Sequence, residues 1–302
     1  MYLHDDRNLF AEVITEVNTK TGIAQSIVEK DYYVTMILKL LEKSNPDAVF
    51  KGGTALSKCF HLIDRFSEDI DITFAEHIGA ARRKKLKYNI LKPISDELNM
   101  QIENWDHIES DKDYNYYVFA YQSVIEDEIP GIPSNVKLET ALVSYSFPTE
   151  EKEVNSIIYE TLKGFTPDII DEYGLEPFPM KVQSVSRTFI DKIYALCDYY
   201  LEGKTKRYSR HLYDIYKLYP TISFDDDFNE LVKQVREHRS HLSVCPSAKD
   251  GVDVKKLIFE FLDKDFYKSD YDTITKTLIS DNVTYEQTTF TLKEIAEKLY
   301  VL

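Results

Sequence analysis

Hydrophobic and polar residues follow two different periods along the chain, and these periods predict two kinds of element. Residues 26–43 carry apolar side chains three and four positions apart, which is typical of a helix with one buried face. Residues 70–74 alternate strictly between apolar and polar, which indicates a strand with one apolar and one acidic face. Apolar, aromatic and β-branched runs predict further strands at 48–50, 114–121 and 136–143.

Helical periodicity takes over in the second half of the chain. Apolar residues three, four and seven positions apart form single faces near residues 189–200, 212–219, 254–261 and 295–299. Between residues 148 and 179 the pattern weakens and strand signals stop. The sequence therefore predicts an α+β fold, with a mixed sheet and helices in residues 1–150 and a mostly helical domain in residues 151–302.

Composition and charge exclude several classes of protein. Of the 302 residues, 43% are hydrophobic and 29% charged, which argues against a disordered or fibrous chain. With 37 basic and 52 acidic residues the net charge is −15, so the surface as a whole is unsuited to nonspecific nucleic-acid binding. Two local basic segments, 82–87 and 204–210, remain candidates for RNA contact, although a solvated surface is the commoner explanation of such runs.

The cysteines and the first residues point to the cytoplasm. Cys59, Cys197 and Cys245 are far apart, so they predict neither a disulfide framework nor a zinc site. The first residues lack the basic and apolar regions of a signal peptide, and no apolar run approaches the roughly 18 residues of a membrane span. We therefore expect a cytoplasmic protein without a membrane partner.

The turn Gly52-Gly53-Thr54 lies between a predicted strand and a predicted helix. Glycine lets a phosphate approach the backbone closely, and free N–H groups at the start of a helix favour an anion. The Thr54 hydroxyl adds a further donor. For the tripeptide alone a plain helix-capping turn is the simpler explanation, so a phosphate site is predicted only in combination with other residues.

Two aspartates provide that combination. Asp69 and Asp71 are two positions apart on a predicted strand, so both carboxylates leave the same face and repel unless a cation lies between them. Oxygen ligands of this kind suit Mg²⁺. Glu139 would join them and complete a two-metal site if its strand neighbours the aspartate strand. The alternatives are a solvated acidic face for the pair and an ordinary surface glutamate for Glu139.

Considered in their order along the chain, these segments resemble a known protein family. The sequence is similar to nucleotidyltransferase toxins of the AbiEii/AbiGii family, within the DNA-polymerase-β-like nucleotidyltransferase superfamily. The resemblance spans residues 26–220 and rests on the segments Val28-Glu-Lys-Asp-Tyr-Tyr-Val34, Gly52-Gly-Thr-Ala-Leu56, Arg65-Phe-Ser-Glu-Asp-Ile-Asp71, Arg187-Thr-Phe-Ile-Asp-Lys-Ile193 and Ser209-Arg-His-Leu-Tyr-Asp-Ile215. It implies a nucleotidyltransferase-type mixed sheet in a catalytic first domain, and a helical second domain that contributes to the active-site cleft.

The resemblance implies roles for individual residues. The nucleotide would be held by Gly52, Gly53, Thr54, Ser67 and Lys192. Mg²⁺, as two ions during catalysis, would be bound by Asp69, Asp71 and Glu139. Lys192 matches the family's motif lysine and Asp214 its later motif aspartate, and both join the three carboxylates as catalytic residues. The family often has glutamate where this chain has Asp191.

The resemblance also implies a reaction and partners. An acceptor hydroxyl would attack the α-phosphorus of a nucleoside triphosphate in line, and pyrophosphate would leave. The acceptor would be RNA, with tRNA 3′ ends the leading candidate, and the outcome would be growth arrest or abortive infection by phage. A cognate antitoxin, a DNA-binding protein, often acts in this family without direct contact. The alternatives are nucleotidylation of a protein or small molecule, or a non-catalytic nucleotide-binding module.

Overall fold

A mixed β-sheet carries the first half of the chain. The computed structural model describes residues 1–109, 112–125, 132–142 and 145–299. Within these residues the sheet has seven strands: β1 Ala48–Lys51, β2 Ile70–Phe74, β3 Gln101–Ile102, β4 Tyr114–Ala120, β5 Asn135–Ala141, β6 Thr149–Val154 and β7 Phe178–Gln183. Their order across the sheet is β3-β4-β5-β2-β1-β7-β6.

Parallel and antiparallel pairs both occur in the sheet. β1 pairs antiparallel with β2 and parallel with β7. β2 pairs parallel with β5, and β5 pairs antiparallel with β4. On one face of the central strands Ile70, Ile72, Val136 and Leu138 are almost completely buried. Because successive side chains alternate between faces, the acidic residues of β2 and β5 lie on the opposite face.

Helices connect the strands in the first half and make up most of the second half. In chain order they are α1 Arg7–Thr21, α2 Gln25–Ser44, α3 Gly52–Lys58, α4 Ala80–Lys85, α5 Lys92–Glu97, α6 Ile157–Leu162, α7 Pro167–Tyr173, α8 Val185–Leu201, α9 Arg210–Leu218, α10 Asp226–Ser240, α11 Val254–Asp263, α12 Lys268–Asp270, α13 Lys276–Leu278 and α14 Tyr285–Lys298. Leu86–Leu91, between α4 and α5, and Tyr271–Thr275, between α12 and α13, are π-helical.

The chain divides into two compact units. The first comprises residues 1–60 and 68–182, and the second comprises residues 61–67 and 183–302. In the first unit, α2 lies against β5 and contributes fully buried side chains to the core. This unit continues past residue 150, since β6, α6, α7 and most of β7 belong to it. The functional division predicted at residue 150 stays a prediction.

The second unit is helical and includes a short piece of chain from the first half. Phe66 N–H donates to the Leu278 carbonyl at 2.9 Å, and Ser280 N–H donates to the Asp64 carbonyl at 2.8 Å. Helix α9 packs against both α8 and α14. The predicted helical character of the second half is confirmed.

Several predicted elements are confirmed by the structure. Residues 26–43 lie within α2, and residues 70–74 coincide with β2. The strand predicted at 136–143 is β5, which ends at Ala141, while Val143 lies outside the described residues. The α+β fold with a mixed sheet is likewise confirmed.

The expectation that strand signals stop near residue 148 is wrong. β6 lies inside the stretch concerned, and β7 begins at its end. β6 reads Thr-Glu-Glu-Lys-Glu-Val, so it has no apolar alternation to detect. It is the terminal strand of the sheet, where charged side chains discourage pairing with other chains. β7 contains Pro179, a residue that argues against a strand in the sequence alone.

Two further features bear on the expectations from sequence. No helix among the described residues has both the length and the apolar character of a membrane span. Cys59, Cys197 and Cys245 are free and buried, and burial raises the pKa of each thiol. Thiols of this kind are protonated and unreactive near pH 7.

Candidate active site

The strand register brings the predicted acidic residues onto one face of the sheet. Asp71 of β2 is paired with Glu139 of β5, and on its other side with Lys51 of β1. Directly paired residues of neighbouring strands point to the same side, and so does Asp69, two positions before Asp71. All three carboxylate residues are half-buried. We call this surface of Asp69, Asp71 and Glu139 the acidic face.

The glycine turn lies directly beside the acidic face. Gly52 has a φ of +77°, and a Cβ added to it would lie 2.8 Å from Cγ of Asp71 and closer still to Oδ2. Only glycine therefore fits between the end of β1 and this carboxylate. The Thr54 hydroxyl is buried and donates to the Asp69 carbonyl at 2.6 Å, which fixes the turn to the aspartate strand. Gly53, between them, is half-buried.

Lysine and tyrosine side chains complete the electrostatics of the acidic face. Lys137, two positions before Glu139 on β5, forms an ion pair with it. Burial opposes the charge on this lysine, but Glu139 and the two aspartates raise its pKa above the usual range. The Tyr114 hydroxyl interacts with Glu139, and burial together with that carboxylate raises the tyrosine's pKa. The lysine, the tyrosine and the three carboxylates therefore influence one another electrostatically.

The donor set of the acidic face suits a hard divalent cation. Three carboxylates offer oxygen ligands from two paired strands, and the missing Cβ of Gly52 lets the Asp71 carboxylate lie directly against the turn. Within the described ranges no three His, Cys, Asp or Glu side chains are already gathered as a metal site. The Lys137 ammonium holds Glu139, so this carboxylate would exchange the lysine for an ion.

Three consecutive charged residues of α2 fix the surroundings of the acidic face. Glu29 accepts hydrogen bonds from Val124 N–H and the Ser123 hydroxyl, both at 2.7 Å. Lys30 pairs with Glu68, the residue before Asp69, and donates to the Pro133 carbonyl at 3.1 Å. Asp31 pairs with Lys58 at the end of α3 and accepts from Ile157 N–H at 2.7 Å. The first segment that carried the family resemblance is thus a structural anchor.

The other two predicted catalytic residues lie in the second unit and contact each other. Lys192 of α8 donates to Oδ2 of Asp214 at 2.6 Å. Arg65 donates two hydrogen bonds to the same carboxylate, from Nε to Oδ1 at 2.6 Å and from Nη2 to Oδ2 at 2.8 Å. All three side chains are buried, and Asp214 has no exposed surface. We call this group of Arg65, Lys192 and Asp214 the buried triad.

Burial and mutual contact shift the pKa values of the buried triad and of a neighbouring histidine. Burial alone would raise the pKa of Asp214, but Arg65 and Lys192 lower it well below its usual range. Burial and the neighbouring Lys192 lower the pKa of His211 well below its usual range, so this imidazole is neutral near pH 7. Burial lowers the pKa of Lys192, and of its two partners Asp214 opposes this shift while Arg65 adds to it.

Asp191 and Ser67 also belong to the second unit. Asp191 accepts from Arg187 Nε at 3.0 Å and from Arg239 Nη1 at 3.0 Å, so it ties α8 to α10. The acid that stands before the motif lysine in this chain is therefore part of an ion-pair network. Ser67 is half-buried at the end of the segment 61–67. The assignment of Ser67 to nucleotide binding stays a prediction.

Sequence reasoning missed several residues of these two sites. Arg65 was part of a segment that carried the resemblance, but it was assigned no role. Its hydrogen bond to Asp214, a residue far away in the sequence, leaves no periodic signal. Lys137, two positions before Glu139 on the same strand, was assigned no role. Tyr114 and Tyr116 of β4 were read as strand formers, and their place beside the acidic face follows only from the β4–β5 register.

Comparison with known proteins identifies relatives of the chain. The model of the family described as nucleotidyl transferase AbiEii toxin, type IV toxin–antitoxin system, matches residues 39–294. No curated protein matches the chain. Among solved structures, the nucleotidyltransferase toxin MenT4 from Mycobacterium tuberculosis is 15% identical with a TM-score of 0.57, over 98% of this chain and 90% of that one. JHP933 from Helicobacter pylori is 18% identical with a TM-score of 0.49, over 92% and 93% of the two chains.

The MenT4 structure and the family model agree with the fold and the sequence motifs described above. The likeness to MenT4 shows that the chain has the fold of that toxin. The family model covers most of the chain, which confirms the resemblance drawn from the five sequence segments. The chain therefore belongs to the AbiEii family of nucleotidyltransferase toxins of type IV toxin–antitoxin systems.

Proposed function

We propose that this toxin acts in the cytoplasm with Mg²⁺ as its cofactor. It transfers a nucleoside monophosphate from a nucleoside triphosphate to the 3′ end of an RNA, with tRNA as the leading candidate. The observation that carries the proposal is the strand register that pairs Asp71 with Glu139. Beside this pair, the Asp71 carboxylate lies so close to Gly52 that the turn has no room for a side chain. A triphosphate and its cation thereby have adjoining binding groups on one surface.

The reaction forms one bond and breaks one. The acceptor hydroxyl oxygen bonds to the α-phosphorus, the bond from that phosphorus to the bridging oxygen breaks, and pyrophosphate leaves with the electron pair. The hydroxyl proton passes to solvent. Since little covalent chemistry is required of the protein, its task is to position the reactants and to balance their charge.

Each group of residues has its own task in this proposal. Asp69, Asp71 and Glu139 hold Mg²⁺, as two ions, and the bound metal neutralises charge that develops on the phosphate oxygens. Gly52, Gly53 and Thr54 form the turn that a phosphate approaches. Lys192 and Ser67 carry the nucleotide-binding roles that the family motifs imply, and Asp214, which is itself bound by Arg65, holds Lys192 in place.

The charge of the surface favours a second candidate function. In segment 82–87, Arg82 pairs with Glu76 at 2.8 Å, and the buried Lys87 donates to the Ile108 carbonyl at 2.7 Å. In segment 204–210, Lys204 pairs with Glu202 at 2.8 Å. These contacts reduce the charge available to bind RNA phosphates. Nucleotidylation of a protein or small molecule needs no basic groove, so it is the alternative to be tested.

One labelling experiment decides between the two acceptors. The protein is incubated with Mg²⁺ and each radiolabelled nucleoside triphosphate in turn, first with total cellular RNA and then without RNA. A labelled RNA band of tRNA size supports the proposal. A labelled protein band alone, with unlabelled RNA, refutes the RNA acceptor and establishes the alternative. Chelation of the metal should abolish either label.

A matched pair of variants tests whether the acidic face carries the reaction. Asp71→Asn keeps the shape of the side chain but removes a metal-binding charge, so we expect transfer to fall by roughly 10³-fold or more, together with loss of toxicity. Asp47→Asn, at a side chain that is 69% exposed, should leave both unchanged. Full toxicity of Asp71→Asn would instead identify a non-catalytic binding module.

A further inference from the structure

Most of the tyrosines that the structure describes are buried or half-buried, but two exposed ones lie beside the acidic face. Tyr114 and Tyr116 of β4 are 51% and 43% exposed. Tyr116 is paired in register with Glu139, which is paired in turn with Asp71. Because Tyr114 and Tyr116 are two positions apart on a strand, both rings lie on the face that bears the carboxylates. Exposed aromatic side chains adjoining a reactive centre require an explanation.

The order of the strands places these rings on one particular side of the centre. Across the sheet, β1 with the glycine turn is followed by β2, β5 and β4. Neighbouring strands are about 4.8 Å apart, so the backbone at Tyr116 is roughly 10 Å from that at Asp71, on the side away from Gly52. In an in-line displacement the attacking and leaving oxygens lie on opposite sides of the phosphorus. If pyrophosphate leaves at the glycine turn, the acceptor enters from the tyrosine side.

We propose that Tyr114 and Tyr116 form a stacking platform for the terminal bases of a single-stranded RNA acceptor. This inference rests on the proposed function, and it names how the acceptor is held. Aromatic rings stack on any base and add affinity without cationic groups. A platform of this kind suits a protein with a net charge of −15, in which local carboxylates engage part of the basic segments.

Contacts of the two rings support the platform. The Lys137 ammonium lies 5.1 Å from the centroid of the Tyr116 ring, so one face of that ring already meets a cation. Lys137 also pairs with Glu139, and Tyr114 interacts with the same carboxylate. The rings are thus coupled to the acidic face by two contacts. A base stacked on them would bring its ribose hydroxyl towards Glu139.

The test is a cycle that removes the ring and the base separately. Binding of a fluorescent oligoadenylate is measured by anisotropy, with the 3′-terminal base either present or replaced by an abasic residue. We expect the wild type to bind the complete oligonucleotide about 5- to 100-fold more tightly than the abasic one. Tyr116→Leu should bind both with the affinity that the wild type shows for the abasic oligonucleotide, and Tyr116→Phe should restore the difference. If removal of the terminal base weakens binding by the same factor in the wild type and in Tyr116→Leu, the platform is overturned.

Controls separate the platform from a folding defect and from the proposed function. Tyr88→Leu removes an equally exposed ring, 47% exposed on the π-helical segment, and should keep the wild-type difference. Tyr116→Thr, with a strand-forming residue, replaces Tyr116→Leu if the latter unfolds. A loss of nucleoside triphosphate binding in Tyr116→Leu, with unchanged RNA binding, would assign the ring to the nucleotide and refute the platform. The RNA acceptor itself is refuted only by the labelling experiment.

Discussion

The acidic face and the buried triad are both clusters of carboxylates and cations, yet they are built for different tasks. In the buried triad, one aspartate is bound by an arginine and a lysine, and all three side chains are shielded from water. On the acidic face, three half-buried carboxylates share a surface with Lys51 and Lys137, so acid exceeds base there. In the triad each polar group is engaged by a buried partner, whereas the acidic face is suited to exchange a lysine for a metal ion.

The largest expected effect comes from removing the anion of the buried triad. Asp214→Asn leaves Arg65 and Lys192 buried side by side without their carboxylate, and we expect a loss of about 3–5 kcal/mol in the free energy of unfolding. Urea unfolding measures this value. Asp214→Asn combined with Lys192→Met should be more stable than Asp214→Asn alone, because one uncompensated charge is gone. If the double variant is no more stable, mutual repulsion of the two cations is not the cause.

The pH dependence of that loss follows from the lowered pKa of Asp214. Because this pKa is lower in the folded than in the unfolded protein, the aspartate contributes its full stability above the unfolded value of about 4. The contribution disappears as the pH falls towards the folded value. The difference in unfolding free energy between wild type and Asp214→Asn should therefore be constant from about pH 5 to 8 and shrink below pH 4. A difference that grows on acidification would contradict this assignment.

The second effect separates activity from stability at the glycine turn. Gly52→Ala forces a Cβ into the space of the Asp71 carboxylate, so transfer should fall by about 10²-fold while the protein stays folded. Gly22→Ala is a matched control, since its φ of +73° is similar but nothing lies within 4 Å of the added atom. Both variants should lose about 1 kcal/mol from the strained backbone. Equal activity in the two variants would show that transfer does not depend on the position of the Asp71 carboxylate.

The smallest effect concerns the lysine on the acidic face. Lys137→Met removes the cation that occupies Glu139, so binding of Mn²⁺, measured by calorimetry, should become a few-fold tighter. Lys152→Met is the control, because Lys152 and Glu150 form a similar lysine–glutamate pair, at 3.2 Å, two positions apart on β6. Weaker binding in Lys137→Met would indicate that this lysine positions Glu139 and does not compete with the ion.

The comparison also shows which parts of the molecule a sequence can predict. β2 is readily predicted, because its apolar and polar residues alternate over five positions, and the face of Glu139 follows from the same rule on β5. That the two strands are neighbours could only be stated as a condition, since local periodicity carries no information about pairing. β6 could not be predicted from the sequence, because an exposed edge strand needs no apolar face.

The buried triad marks the second limit of sequence reasoning. Lys192 and Asp214 lie off the apolar faces of their helices, and the family resemblance assigned both to catalysis together with the three carboxylates. Both are buried, since each polar group has a partner from a distant part of the chain. A polar residue off an apolar stripe is therefore compatible with either water or an ion pair. Only the tertiary contact decides between them.

The pairing of Asp71 with Glu139 restricts how relatives of this toxin can vary in length. One residue inserted or deleted inside β2 or β5 would turn the following side chains to the opposite face and separate the carboxylates. Between the two strands, residues outside β3 and β4 carry no such restriction, whereas β4 is held in its own register with β5. Evolutionary insertions and deletions should therefore accumulate at those unrestricted residues. A sequence alignment that opens a gap within either strand should be shifted before residues are compared.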